Sequence, residues 1–597
     1  MKSDPFSIFI NSARTHGRRS LLTARLGIAA AMSLVIVGAS TLARAEGCAS
    51  VGITLSPGFC ATVFADNIGH VRHMAVGPEG VLYVNSWSGA YYRNGLLEGG
   101  GFLAALKDSK GTGHADVVRH FGEPEALGAK GGTGIAIYKD GLFAEESDKI
   151  LRYRFEPDDI VPKGPPEVVV SGLPLTGDHP MHPFVISAGG DLYVDLGSAT
   201  NSCQALNRMI GSPGQQPCTE LEARGGIWRY DANKTGQLFS PAERYATGLR
   251  NGEGLTFDAA GRLFDTQHGR DQLYENWPHL YTPDQGHNLP AEVIVELTKG
   301  ADFGWPECYF DGFQKKLVLA PEYGGDGKTV GICAGKKAPI AFFPAHWAPN
   351  DMLIYQAKAF PVPYQGGAFI AFHGSWNRAP APQGGYNVVF QPMADGKASG
   401  AFIVFADGFA GAVKEPGAAA FRPTGLAVGK DGALFISDDM HGRIWRVTYQ
   451  GPADVKTIAP ASALESSATS AQNVLPPEGI HPNAGRDKDA SLPVPPGATK
   501  EEVTDGDDIF HGASGGTCSG CHASDAKGTS VGPDLTMKKW IWGDGSLASI
   551  HAIIANGVPK PKIFSGAMPP KGGAPLTDKQ VEDVAAYVWA ISHNSKR

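Results

Sequence analysis

Between Cys48 and Tyr449 one short cassette recurs: an apolar strand, a tight turn holding glycine and often aspartate, then a second strand rich in Leu, Tyr or Phe. It reads Met74-Ala75-Val76-Gly77-Pro78-Glu79-Gly80-Val81-Leu82-Tyr83-Val84 and returns at 134–143, 184–194, 255–264 and 425–436. Each copy carries the signal of a β-hairpin, two β-prone runs around a turn. The chain has 78 glycines and 43 prolines, and scarcely any long 3.6-residue apolar period before residue 540, so this region is predicted to be all-β. Hairpins that return at intervals of tens of residues, with long insertions between them, point to sheets set radially as the blades of a β-propeller. Roughly 400 residues at about 40 to 45 or more per blade permit six to eight blades, and the long insertions favour six. A pair of β-sandwiches is the other architecture that regular hairpins build.

A different chemistry begins near the C-terminus with Cys518-Ser519-Gly520-Cys521-His522. Two thiols three apart can add across the vinyl groups of one haem while the adjacent imidazole ligates its iron, which makes Cys518 and Cys521 the attachment points and His522 the axial ligand of haem c. Half of a zinc site is the competing reading, and it needs a second ligand pair; no cysteine other than these two follows Cys333. Met568, in Gly566-Ala567-Met568-Pro569-Pro570, is the expected sixth ligand, because a thioether raises the haem potential and a following proline keeps its loop out of helix. Met537 competes, and either methionine could be core filling. Helices are predicted around 547–555 and over 578–592, the latter capped by Thr577 and sharing Val581, Val584, Ala585, Val588 and Trp589 on one face. Residues 505–597 are thus read as a small all-α cytochrome c domain.

The first 45 residues read as an export signal. Arg14, Arg18, Arg19 and Arg25 precede an uncharged apolar run from Leu26 to Leu42, closed by Ala43-Arg44-Ala45, with cleavage expected after Ala45. Arg18-Arg19 resembles a twin-arginine signal, and the general secretory route serves equally well for a chain that receives haem after export. As a helix the run is about 25 Å long, short for a bilayer, so membrane association is expected only if the signal stays uncleaved. Its removal takes away six basic and one acidic side chain and moves the formal charge from −8 to −13, which disfavours nucleic acid as a partner. Six cysteines remain besides the haem pair, in near neighbours: Cys48 and Cys60, Cys203 and Cys218, Cys308 and Cys333. Three short-range disulfides suit a periplasmic location, although six cysteines allow 15 pairings. From 451 to 504 the composition turns to Ala, Ser and Pro, a semi-extended linker that keeps the cytochrome at high effective concentration near residues 46–450.

A haem takes one electron at a time, so the larger domain should supply electrons, yet no Gly-rich dinucleotide-binding βαβ unit is visible. Several local motifs do stand in order along it: Gly177-Asp178-His179, Leu249-Arg250-Asn251-Gly252-Glu253-Gly254-Leu255, Gln267-His268-Gly269-Arg270-Asp271, Phe303-Gly304-Trp305-Pro306, His373-Gly374-Ser375-Trp376-Asn377-Arg378 and Phe421-Arg422-Pro423. Together they resemble the soluble quinoprotein glucose and sorbosone dehydrogenase family, six-bladed propellers that bind pyrroloquinoline quinone (PQQ) and calcium. The resemblance implies oxidation of a sugar or sugar-derived aldehyde, with electrons leaving through the haem to an external acceptor such as a cytochrome, a quinone or a respiratory-chain component. It makes His179 the general base, oriented by Asp178, with His182 as the alternative base. It sets Arg250 and Asn251 beside the quinone oxygens and gives His346, Arg378 and Arg422 contacts to the cofactor, whose three carboxylates suit forked guanidinium groups. The backbone carbonyls of Gly269 and Arg270 would hold calcium, with Asp271 a further carboxylate. Two rival functions remain open from sequence: a carbohydrate-binding propeller without the quinone, and a PQQ dehydrogenase for a non-sugar alcohol or aldehyde.

Overall fold

Turns built on glycine allow the cassettes to fold back within a few residues. At 187–191 the backbone of Ser187 bonds Asp191 and Gly190 takes φ +94°, and a Cβ there would lie 2.3 Å from Asn233 Nδ2, so the turn accepts only glycine. The computed structural model describes residues 51–86, 101–122, 132–156, 159–378, 382–416, 418–461, 492–510, 518–522, 526, 528, 532–563, 567–574 and 576–594. The predicted signal and cleavage point, and Cys48, lie outside them.

Six sheets form the six blades of a β-propeller. Blade 1 runs Val71–Val76, Leu82–Ser86, Leu103–Lys107 and Val117–Phe121. Blade 2 begins Ile135–Tyr138 and Gly141–Glu146, blade 3 Phe184–Ile186 and Asp191–Leu196, and blade 4 Thr256–Phe257 and Leu263–Gln267. Blade 5 begins Pro349–Ile354 and Ala368–Phe372, and blade 6 Pro423–Val428 and Leu434–Asp438. The five cassettes are the inner hairpins of blades 1, 2, 3, 4 and 6. The ring closes through the N-terminal side of the domain. Phe59–Ala65 forms the outer strand of blade 6 against Ile444–Tyr449, and Thr54–Leu55 adds to blade 5 against Ile403–Asp407.

Aromatic side chains fill the seam between blades 5 and 6. Phe59 meets Phe360 and Phe405 at 4.8 Å, Tyr449 at 4.9 Å and Tyr364 at 5.0 Å, all edge to face. Phe59→Ala is expected to cost about 3–5 kcal/mol by leaving a cavity on the closing strand, read as a lower urea midpoint for the propeller. Disulfides Cys203–Cys218 and Cys308–Cys333 are formed as paired above, and Cys60 is also disulfide-bonded.

The predicted linker is shorter than 451–504. Ala461 N donates to Val404 O and Ser56 Oγ to Ala459 O, so the chain follows the propeller to 461. At the other end the helix Lys500–Phe510 opens the cytochrome domain ahead of the expected boundary, and Leu492 and Ala498 pack on its core. That helix crosses Asp578–Ser592 at Gly506, where a Cβ would sit 1.9 Å from Asp583 O; only glycine permits the approach. Leu547–Asn556 and Asp578–Ser592 form as predicted, the latter behind a capping box made by Thr577 and Gln580. Among the described residues no helix is long and apolar enough to cross a membrane.

Candidate functional site

In an antiparallel hairpin the start of the first strand and the end of the second lie at the same end. The motifs occupy these two places in alternation, and that brings them to one rim of the ring. Gly177-Asp178-His179, Leu249-Arg250-Asn251, His346 and Phe421-Arg422 lead into the inner strands of blades 3 to 6, while Gly197–Asn201, Gln267–Asp271 and His373–Arg378 follow the second strands of blades 3 to 5.

His179 is buried, 8% exposed, and its Nδ1 lies 2.8 Å from Ser198 O and 3.0 Å from Ser198 Oγ. Since a carbonyl only accepts and the serine hydroxyl donates to Thr200 O, Nδ1 carries the hydrogen and Nε2 keeps its lone pair. Burial, and then the charge of Arg250, hold the imidazole well below its ordinary pKa, so it is a neutral base at neutral pH. The expected role of Asp178 as orienting group is corrected: its carboxylate pairs with Arg208, Nη2 at 3.0 Å and Nε at 3.1 Å, and Ser198 orients His179 instead. A two-pronged guanidinium outcompetes a neutral imidazole for a carboxylate. His182 is not the alternative base, because Nε2 faces Pro174 O at 2.8 Å and Nδ1 faces Glu145 Oε1 at 3.1 Å, using both ring nitrogens.

Asp271 is the hub of the site. It binds Arg250 Nη2 at 2.8 Å, Arg208 Nη2 at 3.1 Å and Asn377 Nδ2 at 2.7 Å, with His346 Nδ1 at 3.8 Å. Burial alone would raise this carboxyl, but Arg250 and Arg208 hold it well below the usual carboxylate range. Arg250 also donates through Nε to Asn201 O and through Nη1 to Gly269 O, both at 3.1 Å. Asn251 Nδ2 contacts Glu253 Oε1 at 3.3 Å. Burial lowers the His346 imidazole to about 4, and its Nε2 rests on Gly286 O at 3.0 Å.

Arg422 and Arg378 stand apart from this hub. Arg422 donates to His373 O and Gly374 O, and Arg378 to His287 O, Asn288 Oδ1 and Pro382 O. The Gly269 carbonyl, one of the backbone oxygens expected to hold calcium, accepts from the Arg250 guanidinium, and the Arg270 side chain is buried in an ion pair with Glu322. For an anionic polycarboxylate the donor set fits: Arg250, Arg208, Arg378 and Arg422 lie along the rim, and Arg250 Nη1 and Nη2, Arg208 Nη1 and Arg422 Nη2 each bond the protein once and keep a second N–H. Sequence reasoning missed Ser198, Arg208 and Asn201, which lie in an insertion-rich stretch with no motif of its own.

The cytochrome domain holds the second half of the site. An apolar cleft, about 1270 Å³ with its open mouth, is lined by Cys518, Cys521, His522, Met537 and Met568. His522 Nδ1 donates to Pro533 O at 2.9 Å, which leaves Nε2 for iron. Met568 is half-buried and pinned by backbone bonds to Val558, whereas Met537 is 50% exposed. Burial raises the Cys521 thiol, and the charge of Arg208 opposes it across the boundary between the domains. Among the described residues the one cysteine-containing group with metal-like spacing is Cys203, Cys218 and Glu220, whose thiols are spent in a disulfide, so the zinc reading of Cys518 and Cys521 finds no second ligand pair.

Residues 53–450 match the family described as TrAA12-like, and residues 501–588 match cytochrome C oxidase, cbb3-type, subunit III. The chain is 28% identical over 233 residues to the pyrroloquinoline quinone-dependent pyranose dehydrogenase of Coprinopsis cinerea, 33% of this chain and 30% of that protein. It is 30% identical over 211 residues to an uncharacterized protein of Borreliella burgdorferi, 35% of this chain and 49% of that one. It thus spans 30% and 49% of the length of these two curated relatives. In structure it is similar to the holo PQQ domain of the Coprinopsis cinerea pyranose dehydrogenase, with TM-score 0.52 and 20% identity over 67% of this chain and 98% of that one. The Trichoderma reesei family AA12 enzyme in its calcium structure gives TM-score 0.52 and 20% identity over 67% and 97%.

Proposed function

The chain belongs to the TrAA12-like family, and from that premise we propose that it is a sugar-oxidising dehydrogenase that uses PQQ and relays electrons through an attached haem c. The observation that carries this reading is His179, a buried imidazole with Nδ1 tied down and Nε2 left as a base beside a cluster of guanidinium groups. The similarity to a PQQ-dependent pyranose dehydrogenase supports a pyranose, aldose or sorbosone-type substrate.

When bound, PQQ would accept a hydride and haem c single electrons. The chain does the rest. His179 Nε2 takes the hydroxyl proton of the substrate as its carbinol C–H leaves with the electron pair, so one proton and one hydride depart together. Ser198 holds the ring in the tautomer that can accept that proton. Arg250 and Arg208, held in place by Asp271 and Asp178, offer their remaining N–H groups as donors for the carboxylates of the cofactor. His522 and Met568 would hold the iron of haem c, and Cys518 and Cys521 would anchor it. Export to the periplasm, and delivery of electrons to an external acceptor, belong to the same proposal; the disulfides and the leader-like N-terminus support it.

The test is an anaerobic titration of the full chain with PQQ and a panel of sugars, following the haem absorption bands. Reduction by an aldose or sorbosone that requires PQQ supports the proposal. Failure to bind PQQ overturns it in favour of a carbohydrate-binding propeller, and reduction by simple alcohols alone overturns the sugar assignment. A second arm uses pH. His179 has a lowered pKa in the fold, so it stays neutral as the pH falls through 6.5 and gains its proton well below that. The NMR signal of its ring is expected to hold its neutral shift from pH 8 to 6; protonation near pH 6.5 would contradict the assigned environment.

A further inference from the structure

The carbonyl that orients His179 is one half of a peptide group whose other half is also held. Ser198 O and Ala199 N–H belong to a single planar trans unit, so they point to opposite sides of it. On one side the carbonyl receives His179 Nδ1–H at 2.8 Å. On the other, Ala199 N donates to Glu220 Oε2 at 2.6 Å. Carboxylate, peptide and imidazole thus form one chain of hydrogen bonds, in which each bond polarises the next.

Glu220 is shaped for this contact. It stands half-buried in the 3-10 turn Thr219–Glu222, ahead of the third strand of blade 3, Gly226–Asp231. Its Oε2 also accepts from Thr200 N at 3.1 Å, and its Oε1 accepts from Thr200 Oγ1, so three donors of two adjacent residues meet one carboxylate. A carboxylate, which only accepts, suits that set. The Cys203–Cys218 disulfide fastens the two segments covalently, and Cys203 N donates to the same Thr200 hydroxyl at 2.9 Å. From the same stretch Arg224 Nη1 donates to Gly197 O at 3.1 Å and contacts His179 O at 3.3 Å. Nothing cushions the base from this turn: a Cβ on Gly197 would stand 2.6 Å from His179 Cβ, so a shift of residues 197–200 is a shift against the imidazole. Asp178, next to the base in sequence, is meanwhile committed to Arg208.

We infer that Glu220 is the orienting carboxylate of His179, a positioning residue that acts on the imidazole through the Ser198-Ala199 peptide group. The inference rests on the reading of His179 as the base. Glu220 fixes the carbonyl, the carbonyl fixes Nδ1 as the donor, and Nε2 is left as the acceptor that proton abstraction needs.

The test reads the ring of His179 by nitrogen NMR, in the full chain with isotope-labelled histidine and without PQQ or sugar; its signals are those lost in His179→Ala. The wild type should show Nδ1 protonated and Nε2 bare at neutral pH. Glu220→Ala should mix the two tautomers and move the Nε2 resonance toward the protonated range. Glu220→Gln should restore the wild-type signal, because its amide oxygen can still face both N–H groups while the Thr200 hydroxyl turns to accept. With PQQ and sugar, kcat of Glu220→Ala should fall about 10²-fold with KM little changed, the size expected when a reacting group moves by about an ångström. The exposed neighbour Glu222, changed to Ala, should leave kcat as it is. Should Glu220→Ala not fold, Glu220→Asp, which keeps the charge and shortens the reach, should shift the Nε2 resonance in the same direction. A wild-type Nε2 resonance in whichever of these two variants folds overturns the inference, as does an equal loss of kcat in Glu222→Ala. A wild type that oxidises no sugar overturns the proposed function and leaves the tautomer result to stand by itself.

Discussion

His179→Ala is expected to lower PQQ-dependent sugar oxidation by about 10²- to 10⁴-fold, the usual contribution of a positioned general base. The loss should fall on kcat, with PQQ affinity changed little, because the proton moves only in the reacting complex while Arg250, Arg208 and Arg422 remain to hold anions. Ser198→Ala makes the control. The backbone carbonyl of Ser198 still orients Nδ1, so only the hydroxyl contact is lost, worth about 0.5–1.5 kcal/mol, or roughly 2- to 12-fold. Stopped-flow reduction of a small dye by sugar measures both variants. Equal effects of the two would show that His179 is a structural residue.

The second large effect is at the haem cleft. Cys518→Ser/Cys521→Ser should abolish covalent haem while leaving sugar-driven reduction of a small dye in place, which separates the two domains functionally. Met568→Ala should keep the haem attached but lower its potential by on the order of 100 mV, since a thioether ligand is among the stronger controls on haem potential. Met537→Ala should leave the potential unchanged, because that side chain is half exposed on a loop rather than pinned over the cleft. Spectroelectrochemistry of the three proteins decides, and a shift in Met537→Ala with none in Met568→Ala would exchange their roles.

The propeller was readable wherever its inner hairpin was short. Blade 5 escaped the cassette search because its two inner strands are separated by a loop that carries the 3-10 turn Val362–Tyr364, and that loop breaks the spacing. The helix Lys500–Phe510 was partly hidden in the linker for a different reason. Glu501, Glu502, Asp505, Asp507 and Asp508 give it the composition of a solvated segment, and Val503, Gly506, Ile509 and Phe510 are all that it buries. At the site, the motifs located His179, Arg250 and Asp271 because each sits at a strand end that the fold fixes. What they could not give was pairing. Asp178 and His179 are adjacent in sequence yet serve different partners, and Arg208, nearly thirty residues on, is brought back by an insertion held by the Cys203–Cys218 disulfide. Side-chain choice among close charges depends on three-dimensional competition that spacing does not encode.

The strand Phe59–Ala65 has a consequence for how the molecule comes to exist. Its ladder partner, Ile444–Tyr449, follows about 390 residues later, and contacts this distant in sequence form late and slowly. A chain emerging from a ribosome or a translocation pore must therefore hold its first strand edge unpaired while five blades accumulate. During that wait the edge is open to foreign strands. Ring closure is the event that ends it, and because His179, Arg250 and Arg422 come from different blades, the same event creates the pocket. Maturation of the propeller is then all-or-none: a cut anywhere between these strands before closure forfeits the whole site rather than one sixth of it.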